Sequence, residues 1–266
     1  MEILLTNDDG IQAEGLWALY DRFAPSHRIT VVAPDRERSA IGHAITLHAP
    51  IRADVVSMNG AKGAYAVSGT PADCIKLAVA ELVEQKPDLV ISGINPGANV
   101  GVNINYSGTL AAAREATLYG IPAIAVSIQA KSPSYYDDTA AFVEKLIHKI
   151  DRHGLPRGTL LNVNVPDLPR EKLKGIRLSR QGDEHFKEGM EKRLDPRQRP
   201  YFWYGIYTQD PVGDADMDAV VLADDYISIT PLRGDATDYN HLDTQKAWDI
   251  GIGTGKERLA GYDHYF

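Results

Sequence analysis

The sequence predicts an α/β fold, a mostly parallel sheet with helices on both faces. Three observations carry this. Short apolar runs such as "EILLT", "ITVVAP", "DLVISGIN" and "IPAIAVSI" do not alternate polar with apolar residues, so they read as strands buried on both sides. Segments with helical spacing separate them, so strand and helix alternate along the chain. The unusual polar loops "NDDG", "PDRERS", "SGTPAD" and "SGINPGAN" each follow a strand, where an open parallel sheet gathers its ligands.

The elements follow in order. Residues 2–6, "EILLT", are the first strand. Residues 14–24, "EGLWALYDRFA", place Leu16, Leu19, Tyr20 and Phe23 at helical spacing. "RITVVAP" is a second strand stopped by Pro34, and the short joints predict a right-handed parallel crossover. After the loop "PDRERSAIGHAITL", the stretch "AYAVSGTPADCIKLAVAELV" reads as strand, turn and helix. Thr70 is its N-cap, Pro71 its first helical residue, and Asp73 a first-turn acid. "PDLVISGIN" is a buried strand running into the Gly/Asn-rich "NPGANVGVNINYSG". "TLAAAREATLYG" is a strong helix former ended by Gly120. "IPAIAVSI" is a strand, 137–152 a helix, and "TLLNVNVP" a strand.

The last third differs in kind. Residues 175–211 mix charges with the aromatic "YFWYGIY", which reads as a hairpin packing on another surface. "YISITPL" reads as a strand and "DTQKAWDIGIG" as a last short helix. There are no repeats and no low-complexity linker. The expectation is a single domain over 1–266, with a core over about 1–170 and an elaborated region over about 171–266.

Composition narrows the function classes. The 266 residues are 44% hydrophobic and 24% charged, as in an ordinary soluble protein. A net charge of −8 argues against general nucleic-acid binding. Residues 170–199 run the other way, with ten Lys/Arg against six Asp/Glu. That excursion reads as a solvated hairpin surface, or as a rim attracting an anionic substrate or partner. The lone Cys74 leaves no intramolecular disulfide and no cysteine zinc cluster, and its apolar helical setting makes it a small core residue. No charged leader with an apolar stretch precedes the first strand, and no run approaches the ~18 apolar residues of a membrane span. The expectation is a cytoplasmic protein with no membrane partner.

The chemistry concentrates at "NDDG". Asp8 and Asp9 repel one another, and on a regular strand adjacent residues point to opposite faces. Gly10 lets the chain turn, so the pair need not keep that alternation. Two carboxylates neutralise one divalent cation, and hard oxygen ligands suit Mg²⁺, Mn²⁺ or Ca²⁺ rather than zinc. Ser39 and Asn95 are reasonable completing oxygens. The same "DD" also fits an Asx-type turn or a helix N-terminal charge. A second signal is "NYSGTLAAARE". Ser107, Gly108 and Thr109 stand where a helix begins, and free N–H groups there bind anions, although a plain Ser/Thr cap reads the same way. A cation site and an anion site on one sheet edge suggest a phosphate ester held by both. His43 lies near this edge and reads as a packing or surface histidine. No G-x-x-x-x-G-K-[ST], no G-x-G-x-x-G after the first strand and no G-x-S-x-G occurs.

"LLTNDDGIQAEG", "VVAPDRERSAIGHAIT", "SGTPADCIKLA", "PDLVISGINPGANVG", "YSGTLAAAREA" and the late "YISITPL" together resemble the SurE family of survival-protein phosphatases, collinearly over most of the chain. The resemblance implies a Rossmann-like three-layer fold. It implies a divalent-metal-dependent phosphatase of nucleoside 5′- and 3′-monophosphates, with short polyphosphate as a further substrate. It implies one Mg²⁺ or Mn²⁺ per subunit, with Asp8, Asp9, Ser39 and Asn95 as ligands. The phosphate-binding residues it implies are Asn99, Ser107, Gly108 and Thr109. It also implies a homodimer or homotetramer that exchanges C-terminal elements, making the "YFWYG" patch interface rather than core. Two positions depart from the pattern. Ala116 and Asp225 stand where glycines are expected, suggesting wider helix packing and an altered turn.

Asp8 is then the expected general base, or holder of the attacking water, and Asp9 the main anchor of the cation. Rival readings make Asp8 a covalent nucleophile, the chain a nucleotide sensor without turnover, or the acid pair part of a glycosyltransferase.

Overall fold

The computed structural model describes residues 1–58, 60–61, 63–183, 187–207 and 213–245. Residues Met1–Gly234 form one compact unit and Asp235–Phe266 a second. Within the first unit, nine of the described strands make one sheet. They are β1 (Glu2–Thr6), β2 (Arg28–Pro34), β3 (Ala53–Val55), β4 (Ala64–Val67), β5 (Leu89–Pro96), β6 (Ala123–Ile128), β7 (Thr159–Val165), β8 (Gly175–Leu178) and β11 (Tyr226–Arg233). A separate hairpin joins β9 (Lys187–Leu194) to β10 (Pro200–Tyr207). The helices are α1 (Glu14–Phe23), α2 (Pro71–Leu77), α3 (Gly108–Leu118), α4 (Tyr136–His153) and α5 (Asp218–Ala223), and in the second unit α6 (Tyr239–Gln245).

The sheet order is β3-β4-β2-β1-β5-β6-β7-β11-β8. Pairing is parallel from β4 through β7, while β3 and β11 run antiparallel to their neighbours β4 and β7. The chain builds outward from β1 to β2 and β4, then returns to β1's other side as β5. That reversal leaves a crevice at the carboxyl ends of β1 and β5, the position where open α/β sheets bind ligands.

Both faces of the sheet are covered, which is why its strands carry continuous apolar runs. All six residues of β6 are buried. On one face Leu5, Ile91, Val126 and Val163 meet α1 and α4 through Leu16, Leu19, Val143 and Ile147. On the other, Leu4, Val32, Val90 and Ala125 meet α2 and α3 through Cys74, Ile75, Leu110 and Ala113. Each fully buried Leu or Ile contributes roughly 1.5–3 kcal/mol by leaving water. Cys74 is accordingly a buried cysteine outside any disulfide. No helix among the described residues is long and apolar enough to cross a membrane.

The expected cap of α2 is a full capping box. Thr70 Oγ1 accepts from Asp73 N at 3.1 Å, and Asp73 accepts from Thr70 N at 2.9 Å. The short pieces β3, β8 and α5 escape a periodicity reading. Asp225, at the suspected glycine position, adopts φ +63°, a left-handed conformation that Asp tolerates. The "YFWYGIY" hairpin exists, but Tyr201, Phe202, Trp203 and Tyr204 are all exposed on this chain rather than packed on its core. Much of the basic excursion is paired with acids. Arg180 bonds Asp214 and Asp216, Arg193 bonds Glu191, and Arg199 bonds Asp195. The last helix expected at 243–253 overlaps α6 only at 243–245, and its remainder lies outside the described residues.

Candidate active site

The turn after β1 is closed by a side chain. Fully buried Asn7 accepts from Gly10 N at 3.1 Å and donates Nδ2 to Gly10 O at 2.9 Å. Gly10 itself sits at φ +102°, and a Cβ there would lie 3.0 Å from the Arg36 backbone. Asp8 O accepts from Arg38 N at 2.7 Å, tying this turn to the loop after β2. The pair Asp8–Asp9 thus leaves strand alternation, as the glycine suggested.

Asp8 is only 4% exposed, and its Oδ1 accepts the Thr109 hydroxyl at 2.6 Å. The start of α3 presses directly on it. A Cβ at Gly108 would lie 2.7 Å from Asp8 Cβ and 2.9 Å from Asp8 Oδ2. The acid turn and the helix N-terminus expected from separate motifs are therefore one site.

Burial pushes the Asp8 carboxyl up despite the Thr109 hydrogen bond. Burial, then the charges of Asp8 and Glu37, push Asp9 up to about 7. Asp9 Oδ2 is buried with no hydrogen-bond partner. Two desolvated like charges and an orphaned oxygen are what a hard cation relieves, so the residues present fit one. Among the described residues no group of three or more His, Cys, Asp or Glu forms a metal cluster. A cation here would therefore draw on neutral oxygens beside the two acids.

Ser39 comes from the loop after β2 and Asn95 from the end of β5, the strands flanking β1 on either side. Ser39 donates its hydroxyl proton to Glu37 at 2.8 Å, leaving its lone pairs unspent. Asn95 uses its amide nitrogen on Gly97 O at 2.7 Å. The Ser39 loop is anchored at several points. Gly42 N reaches Tyr106 O at 2.9 Å, His43 pairs with Glu115 at 2.7 Å, and the Thr46 hydroxyl reaches Asp73 at 2.6 Å.

On the anion side, Ser107 caps α3, accepting from Leu110 N at 3.2 Å. Its hydroxyl oxygen is used as a cap, which leaves the first backbone N–H groups of α3 as the donors an anion could meet there. Asn99 is 9% exposed and gives its side-chain amide to Ser127 Oγ at 2.9 Å.

Several residues of this edge escape motif reading. Glu37 stands two residues before Ser39 in "RERS" and acts on both acids. His43 is bonded to Glu115, on the helix that carries Gly108 and Thr109, rather than loose on the surface. Tyr136, at the start of α4, has its phenol pushed up to about 12 by burial and by Asp9, Glu14 and Asp167, so it stays protonated. Asn162 and Asn164 in "NVN" are buried polar residues in a central strand, a signal visible in the sequence. A cavity of about 460 Å³ between α4 and the β8 edge, lined by Phe142, Leu146, Ile176 and Ile227, contains none of the expected site residues.

The chain is similar to known proteins. The model of the family "Survival protein SurE" matches residues 3–188. A protein named 5′-nucleotidase SurE from Desulfatibacillum aliphaticivorans is 52% identical over 94% of this chain and 99% of its own length. One of the same name from Syntrophobacter fumaroxidans is 46% identical over 94% of this chain and 100% of its own. The crystal structure of the SurE protein from Aquifex aeolicus superposes with a TM-score of 0.82 at 37% identity, covering 92% of this chain and 98% of that one. On this evidence of motif, fold and relatives, the chain belongs to the SurE family.

Proposed function

We propose that this chain is a divalent-metal-dependent phosphomonoesterase that hydrolyses nucleoside 5′-monophosphates, and 3′-monophosphates, to nucleoside and phosphate. Short-chain polyphosphate belongs to the same reading as a further substrate. Relatives named 5′-nucleotidase, aligned over nearly the whole chain, support the nucleotidase part. The observation that carries the chemistry is the contact between Asp8 and the first turn of α3. It sets a cation-seeking acid pair side by side with the first backbone N–H groups of α3, which supports a phosphoryl group held by both.

Asp8, Asp9, Ser39 and Asn95 would hold one Mg²⁺ or Mn²⁺ per subunit, which when bound polarises a phosphoryl oxygen and offsets charge in the transition state. The backbone N–H groups of Gly108 and Thr109 orient the remaining phosphoryl oxygens, with Asn99 and Ser107 completing that subsite. Asp8 commits one oxygen to Thr109 and keeps the other for the attacking water, from which it takes the proton. Asp9 serves chiefly as the anchor of the cation.

The test is phosphate release from nucleoside 5′- and 3′-monophosphates and from short polyphosphate. It is run with EDTA, Mg²⁺ or Mn²⁺, on the wild type and on Asp9→Asn. Cation-dependent release that disappears in Asp9→Asn is expected. Tight nucleotide binding without release under any cation would make the chain a sensor. We also propose a homodimer or homotetramer with exchanged C-terminal elements, supported by the exposed aromatic side chains of β10. A monomer mass by light scattering at micromolar concentration would overturn it.

A further inference from the structure

We propose that Asn164 and Asp218 are positioning residues that hold the Asn99–Gly101 segment, and with it the phosphate subsite, in its binding conformation before any ligand arrives. The inference rests on the phosphate subsite proposed above.

The segment lies between β5 and α3 and has little reason of its own to adopt one shape. Gly97 sits at φ +110° and Gly101 at φ +56°, and glycines lose the most freedom on ordering. Its backbone is paired instead with distant side chains. Asn99 N donates to Asn164 Oδ1 at 2.8 Å, and Asn99 O accepts from Asn164 Nδ2 at 3.1 Å. The one carboxamide thus serves Asn99 as a neighbouring strand's peptide group would. Asn162 Nδ2 also reaches Asn99 O, at 2.8 Å. Gly101 N donates to Asp218 Oδ2 at 2.9 Å, and Gly101 O accepts from Gln181 at 3.0 Å.

All the backbone hydrogen-bonding groups of these two residues are therefore satisfied by side chains 63 to 117 positions away in sequence. Asp218 is fully buried, and its other oxygen accepts from Gly182 N at 3.0 Å and Ala219 N at 2.9 Å. It joins the segment to the chain just before β9. The Asn99 side chain is held as well, through Ser127. Ordering already present in the free protein need not be supplied by substrate binding energy, so affinity for a phosphoryl group is higher.

The variants are Asn164→Ala, which removes both bonds to Asn99, and Asp218→Asn, which sets an amide donor against one of the backbone N–H groups that face the carboxylate. Gln181→Ala is the milder third, keeping the test open if either of the first does not fold. Three readouts are taken on the full chain: inhibition by inorganic phosphate, Mn²⁺ affinity by calorimetry, and amide exchange at Asn99 and Gly101 without ligand. Buried hydrogen bonds of this kind correspond to losses of about tenfold.

The expected result is phosphate affinity about tenfold weaker in Asn164→Ala and Asp218→Asn, and about threefold weaker in Gln181→Ala. Mn²⁺ affinity stays within about twofold, and exchange at the two amides becomes faster. Folded variants with lower melting temperatures but wild-type phosphate affinity would overturn the proposal, leaving these residues a merely structural role. Fast exchange at both amides in the wild type would also overturn it, as would the wild type binding no phosphate. A wild type that binds phosphate but turns over no monophosphate defeats the phosphatase reading alone, and the phosphate and exchange measurements still decide this one.

Discussion

The Thr109 hydroxyl donates to Asp8 at 2.6 Å, joining the first turn of α3 to the end of β1 across 101 residues of sequence. The bond fixes which oxygen of Asp8 is committed and which is available. Replacing Thr109 by Val keeps the shape and removes the donor. A hydrogen bond to a charged group contributes about 1.5–3 kcal/mol, so kcat with a nucleoside monophosphate should fall about 10- to 100-fold. Steady-state kinetics check this, and an unchanged kcat would show that the bond serves the fold alone.

Gly108 leaves no room for a side chain. The nearest atoms to an added Cβ belong to Asp8, at 2.7 and 2.9 Å. Gly108→Ala should push the acid turn from the helix and abolish most activity while the chain stays folded. Gly63→Ala is the control, since its closest neighbours stand at 3.9 Å and its activity should match wild type.

Asp9→Asn removes one charge from a buried like-charged pair. The cation-free variant should melt no lower than the cation-free wild type at neutral pH. Mn²⁺ at about 100 times its dissociation constant should stabilise the wild type by about 2.7 kcal/mol and the variant hardly at all. Equal stabilisation of both, by calorimetry, would place the cation elsewhere.

Asp8→Asn separates proton transfer from cation binding. If Asp8 is the base, kcat should drop about 10²–10⁴-fold at saturating Mn²⁺. A wild-type rate with the cation bound would remove Asp8 from that role.

Glu115 predicts an acid limb of stability. Burial would push its carboxyl up, but the His43 hydrogen bond and the charges of Lys76 and His43 hold it below the ordinary 4.5. A depressed folded pKa contributes stability that is present above the unfolded value and lost as pH falls through the folded one. As pH falls below the ordinary 4.5, the wild type should lose melting temperature more steeply than Glu115→Gln. Parallel curves would show that the pair contributes nothing.

Much of this was legible in residue order. Continuous apolar runs announced doubly covered strands, and the Thr70–Pro71–Asp73 trio announced a capped helix, because those signals act over a few residues. Asp8, Asp9 and the Ser107–Thr109 turn stood out because adjacent acids and a helix start carry local electrostatics. The short strands β3 and β8 and the helix α5 did not, since three- to six-residue elements are set by what they pack against. Asn162 and Asn164 are visible in the sequence as polar residues in an apolar strand, but their partner is not. Only the placement of Asn99 beside them shows what two buried carboxamides are for.

By itself, then, the sequence determined the α/β class, the order of its elements and the residue types at the crevice, all of which rest on local periodicity and side-chain chemistry. The tertiary structure decided that the acid turn and the α3 N-terminus touch, that Glu115 anchors the Ser39 loop through His43, and that β7 and α5 hold the Asn99–Gly101 segment. These contacts join residues far apart in the chain. They come from sheet order and helix placement, which satisfy burial and hydrogen bonding for the molecule as a whole, and no short stretch of sequence records them.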